Sequence, residues 1–422
     1  MTDNGLRILV VSTQFPFPPR WGFAMRVHQL VSRLTPHHEV TLLSYSTPDD
    51  RPNVAKLQKE LDVVVVERPF EAQAAKRRAQ SLTLLSPRPY SCRATYLPDM
   101  QAAIDDVCAQ RFDVIQLESS LLCTFRFPTG SCLVLDEHNI EYEVFRRMQA
   151  GERSLPRRAY HVMEHARFRR FEQRWWRRVS ACVLTSDREE RIVREHAPAT
   201  LTAVVPNGVD LDYFSPSSLG PDPNTLVFNG LMKYRPNLDA AHYLVDEIWP
   251  LIRRRRPEAS LTIVGRGEPA DLERLRKPGV TVTGEVADIR PYVERAAVVA
   301  VPVRMGGGTR LKVVEGLAMG KAMVSTSLGC EGVNVADHEH LLVADGAERF
   351  AASVVALFDD KATAAALGRA GRALMEREYS WDAAADRLEA LYRQLVPAAV
   401  ARPRTAAART PVLTESAEGS RG

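Results

Sequence analysis

Gly306-Gly307-Gly308-Thr309-Arg310-Leu311-Lys312-Val313-Val314-Glu315-Gly316-Leu317-Ala318-Met319-Gly320 lies between two apolar runs, Val298-Val299-Ala300-Val301-Pro302-Val303 before it and Ala322-Met323-Val324-Ser325 after it. The order strand, glycine-rich turn, short helix, strand is a unit of a parallel α/β sheet. Glycines let the backbone approach a ligand, and the next helix turns its unpaired N–H groups and positive dipole end to the same spot. Arg310 and Lys312 add positive charge, and Glu315 follows about one turn on. Cations and N–H donors suit a phosphate; a carboxylate suits a sugar diol. A turn that merely needs glycine is the plain alternative, but such a turn gains nothing from two cations at its mouth. The stretch reads as a nucleotide-sugar site.

The same alternation runs along the chain. In the first half, Arg7–Ser12, Glu39–Ser44, Asp62–Val66, Asp113–Leu117, Ser131–Asp136, Ala181–Thr185 and Thr202–Val205 read as strands. Helical patterns between them include Ala24–Leu34, Thr95–Gln110 and the arginine-rich Arg157–Arg178. Pro206-Asn207-Gly208 and Ser215-Pro216 break the pattern. A second series runs through Thr225–Asn229, Ser260–Val264, Val280–Thr283, Ala297–Pro302, Ala322–Ser325 and Leu341–Val343, and helices at 347–358, 361–377 and 381–396 close it. The expected organisation is a first Rossmann-like domain over 1–205, a linker over 206–224, a second Rossmann-like domain over 225–380, a final helix within 381–398 and a disordered tail over 399–422.

Composition agrees with two soluble globular units. The chain has 422 residues, 45% hydrophobic and 26% charged, with a net charge of +4. Its six cysteines show no CxxC pair or metal spacing, so they read as reduced cytosolic thiols. No basic n-region opens the chain and no run reaches the roughly 18 apolar residues of a span. A cytoplasmic protein is expected, with any membrane contact peripheral at the inner face.

Two facing parallel-sheet domains place a site in the cleft at their strands' C-terminal ends. Several strand exits carry suitable groups: Gly230 and Lys233, then Gly265, Arg266 and Gly267, then Gly284 with Val286. Taken singly, each fits an ordinary turn. Four consecutive exits with glycine or a cation make coincidence a poor account. In the first half, Gly22 precedes a helix and reads equally as a loop end or as an acceptor or phosphate loop, while Asp136-Glu137-His138-Asn139 leaves an apolar strand. No G-x-G-x-x-G follows the first strand, which argues against a dinucleotide oxidoreductase.

Two features read as bland. His161-Val162-Met163-Glu164-His165 matches H-x-x-E-H, but the arginines around it make a hostile field for a divalent cation. The arginine-rich helix could meet an anionic surface or acceptor, yet a solvated face with arginine stems over apolar surface is the plainer reading. Little supports nucleic-acid binding.

Taken together, these motifs resemble the GT-B glycosyltransferases of family 4, retaining nucleotide-sugar transferases, from about Arg7 to Leu395. The resemblance rests on the Pro-rich loop with Gly22, Asp136-Glu137-His138-Asn139, Val205-Pro206-Asn207-Gly208-Val209-Asp210 and Gly230-x-x-Lys233. It continues through Val264-Gly265-Arg266-Gly267, Thr283-Gly284-Glu285-Val286, Gly306–Gly320 and Tyr379-Ser380-Trp381. It implies a GT-B fold whose last helix crosses back to the first domain. Glu315 would bond the ribose diol. Lys233, Lys312, Arg310 and the amides of Gly306, Gly307, Gly308, Thr309 and Leu311 would hold the diphosphate. The base would rest near Arg266 and Val286, and His138 beside the transferred sugar. The family's Glu-x7-Glu pattern would place a carboxylate at 307, where this chain has Gly307; on this reading backbone amides of the loop stand in for it.

The implied partners are a nucleoside-diphosphate sugar and a hydroxyl acceptor (polysaccharide, glycolipid or natural product), with no cofactor, metal or nucleic acid. Two alternatives stay open: a nucleotide-sugar epimerase using the same cleft, and a non-catalytic nucleotide-sugar-binding partner.

Overall fold

A computed structural model describes residues 5–19, 21–68, 86–150, 154–216, 220–306 and 311–396. Gly307, Gly308, Thr309 and Arg310 and the tail 399–422 lie outside the described residues. The chain folds into two parallel α/β sheets, the GT-B architecture.

The first sheet contains β1 (Arg7–Ser12), β2 (Glu39–Ser46), β3 (Asp62–Glu67), β4 (Val114–Leu117), β5 (Cys132–Glu137), β6 (Ala181–Leu184) and β7 (Leu201–Val204), in the order β3-β2-β1-β4-β5-β6-β7. The second contains β8 (Thr225–Asn229), β9 (Ser260–Val264), β10 (Val280–Val282), β11 (Val298–Val301), β12 (Met323–Ser325) and β13 (Leu342–Val343), in the order β10-β9-β8-β11-β12-β13. Each order reverses direction beside its first strand, which leaves a crevice at the strands' C-terminal ends. The inner strands are nearly continuous Val, Ile and Leu because helices cover both faces.

One expected helix begins late. Of Thr95–Gln110, Pro98–Cys108 is helical, whereas Thr95 ends a separate short helix, Tyr90–Thr95, and Leu97 is extended between the two. Pro98 disfavours helical backbone at Leu97 but suits the first turn of the helix it opens.

The chain passes between the sheets twice, and the crossings run side by side. Val209 N–H donates to Tyr379 O at 2.8 Å, and Val209 forms a bridge with Ser380. A methyl group at Gly208 would lie 2.6 Å from the Trp381 ring, so only glycine lets the linker pass. After the second crossing, the Trp381–Leu395 helix buries Trp381, Leu388, Leu391 and Tyr392 against the apolar face holding Ile8 and Val10 of β1. At about 1.5–3 kcal/mol for each large apolar side chain buried, this contact is a substantial part of the first sheet's stability.

A buried ion pair ties the linker to the first sheet. Arg26, in the Gly22–Leu34 helix, and Asp136, in β5, are both fully buried. The guanidinium donates from Nε at 3.1 Å and Nη2 at 2.9 Å to Asp136 Oδ2, and from Nη1 at 2.8 Å to the Val205 carbonyl and 3.2 Å to Asn207 Oδ1. Removing one partner strands a buried charge, so Arg26→Met should cost about 3–5 kcal/mol in urea unfolding of the first domain. Arg26→Met with Asp136→Leu should recover at least half of that, leaving a deficit from the unpaired Val205 carbonyl. A double variant as unstable as the single one would show that the pair is not the cause.

Candidate nucleotide-sugar site

On the second sheet the β8 and β9 exits touch. Gly265 has φ +142°, and a methyl group there would lie 1.9 Å from the Gly230 carbonyl oxygen. A methyl on Gly230 would in turn lie 2.9 Å from Lys312 Nζ. Lys312, in the Leu311–Ala318 helix, therefore leans back across these exits. Its ammonium donates to Asn237 Oδ1 at 2.9 Å and sits 4.3 Å from the Phe228 ring centre. Small residues below it hold a cation at the C-terminal ends of β8 and β9.

Glu315 lies about one helical turn beyond and faces a narrow crevice with Phe214, Asn229, Ile289 and Val293. Burial pushes its carboxyl up to about 7, and Lys312 pulls against that shift. It makes no side-chain hydrogen bond within the described structure, so a hydroxyl donor entering the crevice would find it ready to accept. Lys233 bonds Glu268 at 2.8 Å and Arg266 approaches Glu285 at 3.6 Å, all four about half exposed or more. Exposed pairs of this kind contribute at most about 1 kcal/mol, so either cation can exchange its partner for a phosphate at small cost. Val286 packs half-buried on the second domain's core beside them.

On the first sheet, strand alternation sends Asp136 and Glu137 to opposite faces, and His138 follows at the strand's end. Asp136 turns to Arg26. Glu137 turns to the other face, where it accepts from Trp176 Nε1 at 2.8 Å; burial raises its carboxyl to about 8, against the pull of that bond. His138 turns to the cleft. Its Nε2 meets Glu118 Oε2 at 2.8 Å, and its ring stacks on Phe23 with centroids 4.7 Å apart. Glu118 also accepts from Gln116 Nε2 at 2.6 Å, and Gln116 Oε1 accepts from the Tyr392 hydroxyl. A buried chain thus runs from the last helix to His138. Its carboxyl end fixes the orientation of the imidazole.

Glu118, Asp136 and His138 bring ligand atoms within 4.8 Å of one another, a spacing that would suit a cation. Both Asp136 oxygens are already engaged by Arg26, whose fixed positive charge opposes a second one there. Two of the three H-x-x-E-H candidates are also spoken for, while the third, His161, has a buried Nδ1 with no hydrogen-bond partner among the described residues. Glu164 accepts from Tyr90 N–H and Arg167, and His165 Nδ1 meets the Tyr142 carbonyl at 2.8 Å.

The two half-sites meet. A methyl on Gly22 would lie 3.4 Å from Leu311 Cδ1, so the start of the Gly22–Leu34 helix touches the start of the Lys312 helix. In the Glu141–Ala150 helix, Arg147 donates to the Gly306 carbonyl at 2.6 Å and to Glu331 Oε1 at 2.9 Å. Arg188 joins Glu331 to Glu143. That helix is anchored by Glu172, which accepts from the Glu141 and Tyr142 amides at 2.9 and 3.1 Å. Gly306 and Leu311 thus both contact the first domain.

Phe23, Arg26, Glu118, Asn237, Arg147 and Glu331 are absent from the sequence-level site. Glu118 was within reach, because it follows β4 as His138 follows β5. Arg147 was not, because an arginine in an amphipathic helix carries no sign of the loop it meets 159 residues away.

Two family models match: Glycosyltransferase Family 4 over residues 22–213 and Glycosyl transferases group 1 over residues 223–360. The chain belongs to the family-4 glycosyltransferases. The two matches meet within the linker and include every described candidate residue. A GDP-mannose-dependent alpha-(1-6)-phosphatidylinositol monomannoside mannosyltransferase of Mycobacterium tuberculosis is 31% identical over 234 residues, 49% of this chain and 59% of the relative. A GDP-mannose-dependent monoacylated alpha-(1-6)-phosphatidylinositol monomannoside mannosyltransferase of Corynebacterium glutamicum is 27% identical over 205 residues, 44% of this chain and 54% of the relative. The chain thus spans little more than half the length of these curated relatives. Among solved structures, sucrose-phosphate synthase from Thermosynechococcus elongatus is 20% identical with a TM-score of 0.67, covering 92% of this chain and 99% of that one. Anabaena HepE in complex with UDP is 15% identical with a TM-score of 0.64, covering 92% of this chain and 100% of that one. These likenesses show the shared fold. No helix among the described residues is long and apolar enough to cross a membrane.

Proposed function

We propose that this chain moves a hexosyl unit from a nucleoside-diphosphate sugar to a hydroxyl acceptor, with retention at the anomeric carbon and without a metal. The contact of Gly22 with Leu311 carries the reading, because it sets His138 and its Phe23 support against the helix bearing Lys312 and Glu315. Glu315 takes the ribose hydroxyls. Lys312, Lys233, Arg266 and the start of the Leu311–Ala318 helix face the diphosphate, with the base beside Val286. His138 lies by the sugar.

As the glycosidic bond to the diphosphate breaks, negative charge grows on the leaving oxygen. Cations held there beforehand lower that barrier most. The acceptor hydroxyl attacks the oxocarbenium-like carbon from the face the phosphate leaves, and the departing phosphate oxygen takes its proton. This route needs no second carboxylate, which accommodates Gly307 where the family pattern has glutamate. The acceptor is a hydroxyl of a polysaccharide, glycolipid or natural product. The mycobacterial and corynebacterial relatives make GDP-mannose the first donor to test.

A thermal-shift screen of UDP, GDP, dTDP, ADP and their sugars tests the donor. One nucleotide should stabilise by about 2.7 kcal/mol at a hundredfold excess over Kd, and a flat response to all of them would sink the reading. Donor alone should yield no new nucleotide sugar; conversion without acceptor would mark an epimerase. With the donor known, Lys312→Ala should lower kcat by roughly 10²–10³, and wild-type turnover at saturating donor would reject its role.

Ribose hydroxyls favour the ionised form of Glu315, so its carboxyl falls from about 7 on binding. Affinity is then full above pH 7 and weakens below it, by up to about tenfold per pH unit. Calorimetry with the nucleotide sugar, whose diphosphate diester does not titrate there, should show that slope in the wild type and a flat profile in Glu315→Gln. Parallel profiles would remove the ribose assignment.

A further inference from the structure

At the other end of the first sheet, where its strands begin, lies a cavity of about 760 Å³ that the site above does not use. It exists because the connection from β4 to β5 holds only the short Ser120–Thr124 helical turn, where a parallel sheet normally receives a covering helix. Ile115 of β4 and Leu133 of β5 form its floor. Leu133 stays half-buried although its strand is central. The Leu155–Trp176 helix roofs the gap, and Phe125, Phe127, Phe171 and Trp175 supply apolar walls continuous with the core below.

The rim is of one sign. Arg88, Arg126, Arg167, Arg170, Arg174 and Arg178 line the cavity, and none of its described lining residues is an aspartate or glutamate. Arg167 has Glu164 as partner and Arg178 lies over the Trp175 ring at 5.7 Å. Arg170 and Arg174 are one turn apart on the roof, and like charges at that spacing repel. Elsewhere on this protein, exposed arginines are commonly matched to carboxylates, as Arg194 is to Glu190 and Arg393 to Glu389. Of the guanidiniums gathered around this apolar hollow, Arg167 is paired with an acid, and the others carry a positive potential that no acid among the described lining residues compensates. The fork of a guanidinium matches phosphate oxygens two at a time.

We propose that this cavity binds a phosphate-bearing amphiphile, its phosphate on the arginine rim and its apolar body on the aromatic walls. The site is separate from the donor cleft: β5 alone, at about 3.3 Å per residue, puts roughly 16 Å between Leu133 of the cavity floor and His138. The solvated arginine face expected from sequence is here one wall of a hollow. A lipid headgroup in a bilayer and a soluble phosphorylated molecule present the same chemistry to this site.

The test is calorimetry of the full chain with octyl phosphate, inorganic phosphate and octan-1-ol. Octyl phosphate should bind at least tenfold more tightly than either half alone. Arg170→Gln with Arg174→Gln should weaken it at least tenfold, as expected for charge-assisted hydrogen bonds. Arg254→Gln with Arg255→Gln, in the basic end of the Trp249–Arg255 helix, should leave it unchanged. Arg126→Gln, exposed on the loop opposite the roof, gives an independent loss should the helix variant fail to fold. The nucleotide-induced thermal shift should be the same in all of them, which separates this site from the donor reading. Vesicles of phosphatidylglycerol and phosphatidylcholine identify the source: co-sedimentation lost with Arg170 and Arg174 assigns a lipid surface, and octyl phosphate binding without co-sedimentation assigns a soluble ligand. The proposal fails if octyl phosphate does not bind, if inorganic phosphate binds as tightly, or if the control pair weakens binding equally.

Discussion

The buried pairing of Arg26 with Asp136 organises the half of the molecule that meets the donor cleft. Burial alone pushes the Asp136 carboxyl up, and the guanidinium opposes this by bonding both its oxygens. Taking two charges out of water costs several kcal/mol each, and the cost is offset only where every remaining donor finds a partner. Here the spare Nη1 goes to Val205 and Asn207 at the linker. One side chain therefore sets the depth of the Gly22–Leu34 helix, the register of the β5 exit and the point where the chain leaves the first sheet. With Asp136 held on one face, alternation sends Glu137 to the opposite face and leaves His138 at the strand's end, facing the cleft.

The same register links His138 to the chain's return. Tyr392 belongs to a helix reached only after the second domain is complete, yet its hydroxyl begins the chain through Gln116 and Glu118 to His138. Buried polar chains of this sort are costly when incomplete, so each member restrains the next. The first domain's half of the site is thus assembled from both ends of the sequence. On the facing side, Lys312 is held by Asn237 and the Phe228 ring, whereas Lys233 and Arg266 hold exposed carboxylates they can release. One cation is fixed and two are exchangeable, which suits the charged donor and charged product proposed for this pocket.

Much of the fold was legible along the chain. β1, β8 and β9 run over the residues expected, and the other strands differ by a residue or two at their ends. Period and composition carry that information because strands buried on both faces must be apolar throughout. The break at Pro98 was legible too, and reading 95–110 as one helix overlooked it. Lys312 and Glu315 could be named because both stand on one short helix after a glycine-rich stretch of sequence, a local arrangement. Glu118 could have been named from its place after β4, but Phe23 and Arg147 could not, because their partners lie 115 and 159 residues away and nothing in their own surroundings records them.

The sequence by itself determined the two parallel sheets, the linker between them and the cation and carboxylate of the second-domain helix, since each depends on neighbours within a few residues. The tertiary structure alone decided which of Asp136, Glu137 and His138 faces the cleft and what holds it there. It also turned an arginine-rich helix face into the wall of a cavity. Both outcomes depend on which distant side chain or bare sheet surface is brought alongside, and packing sets that only once the elements have met.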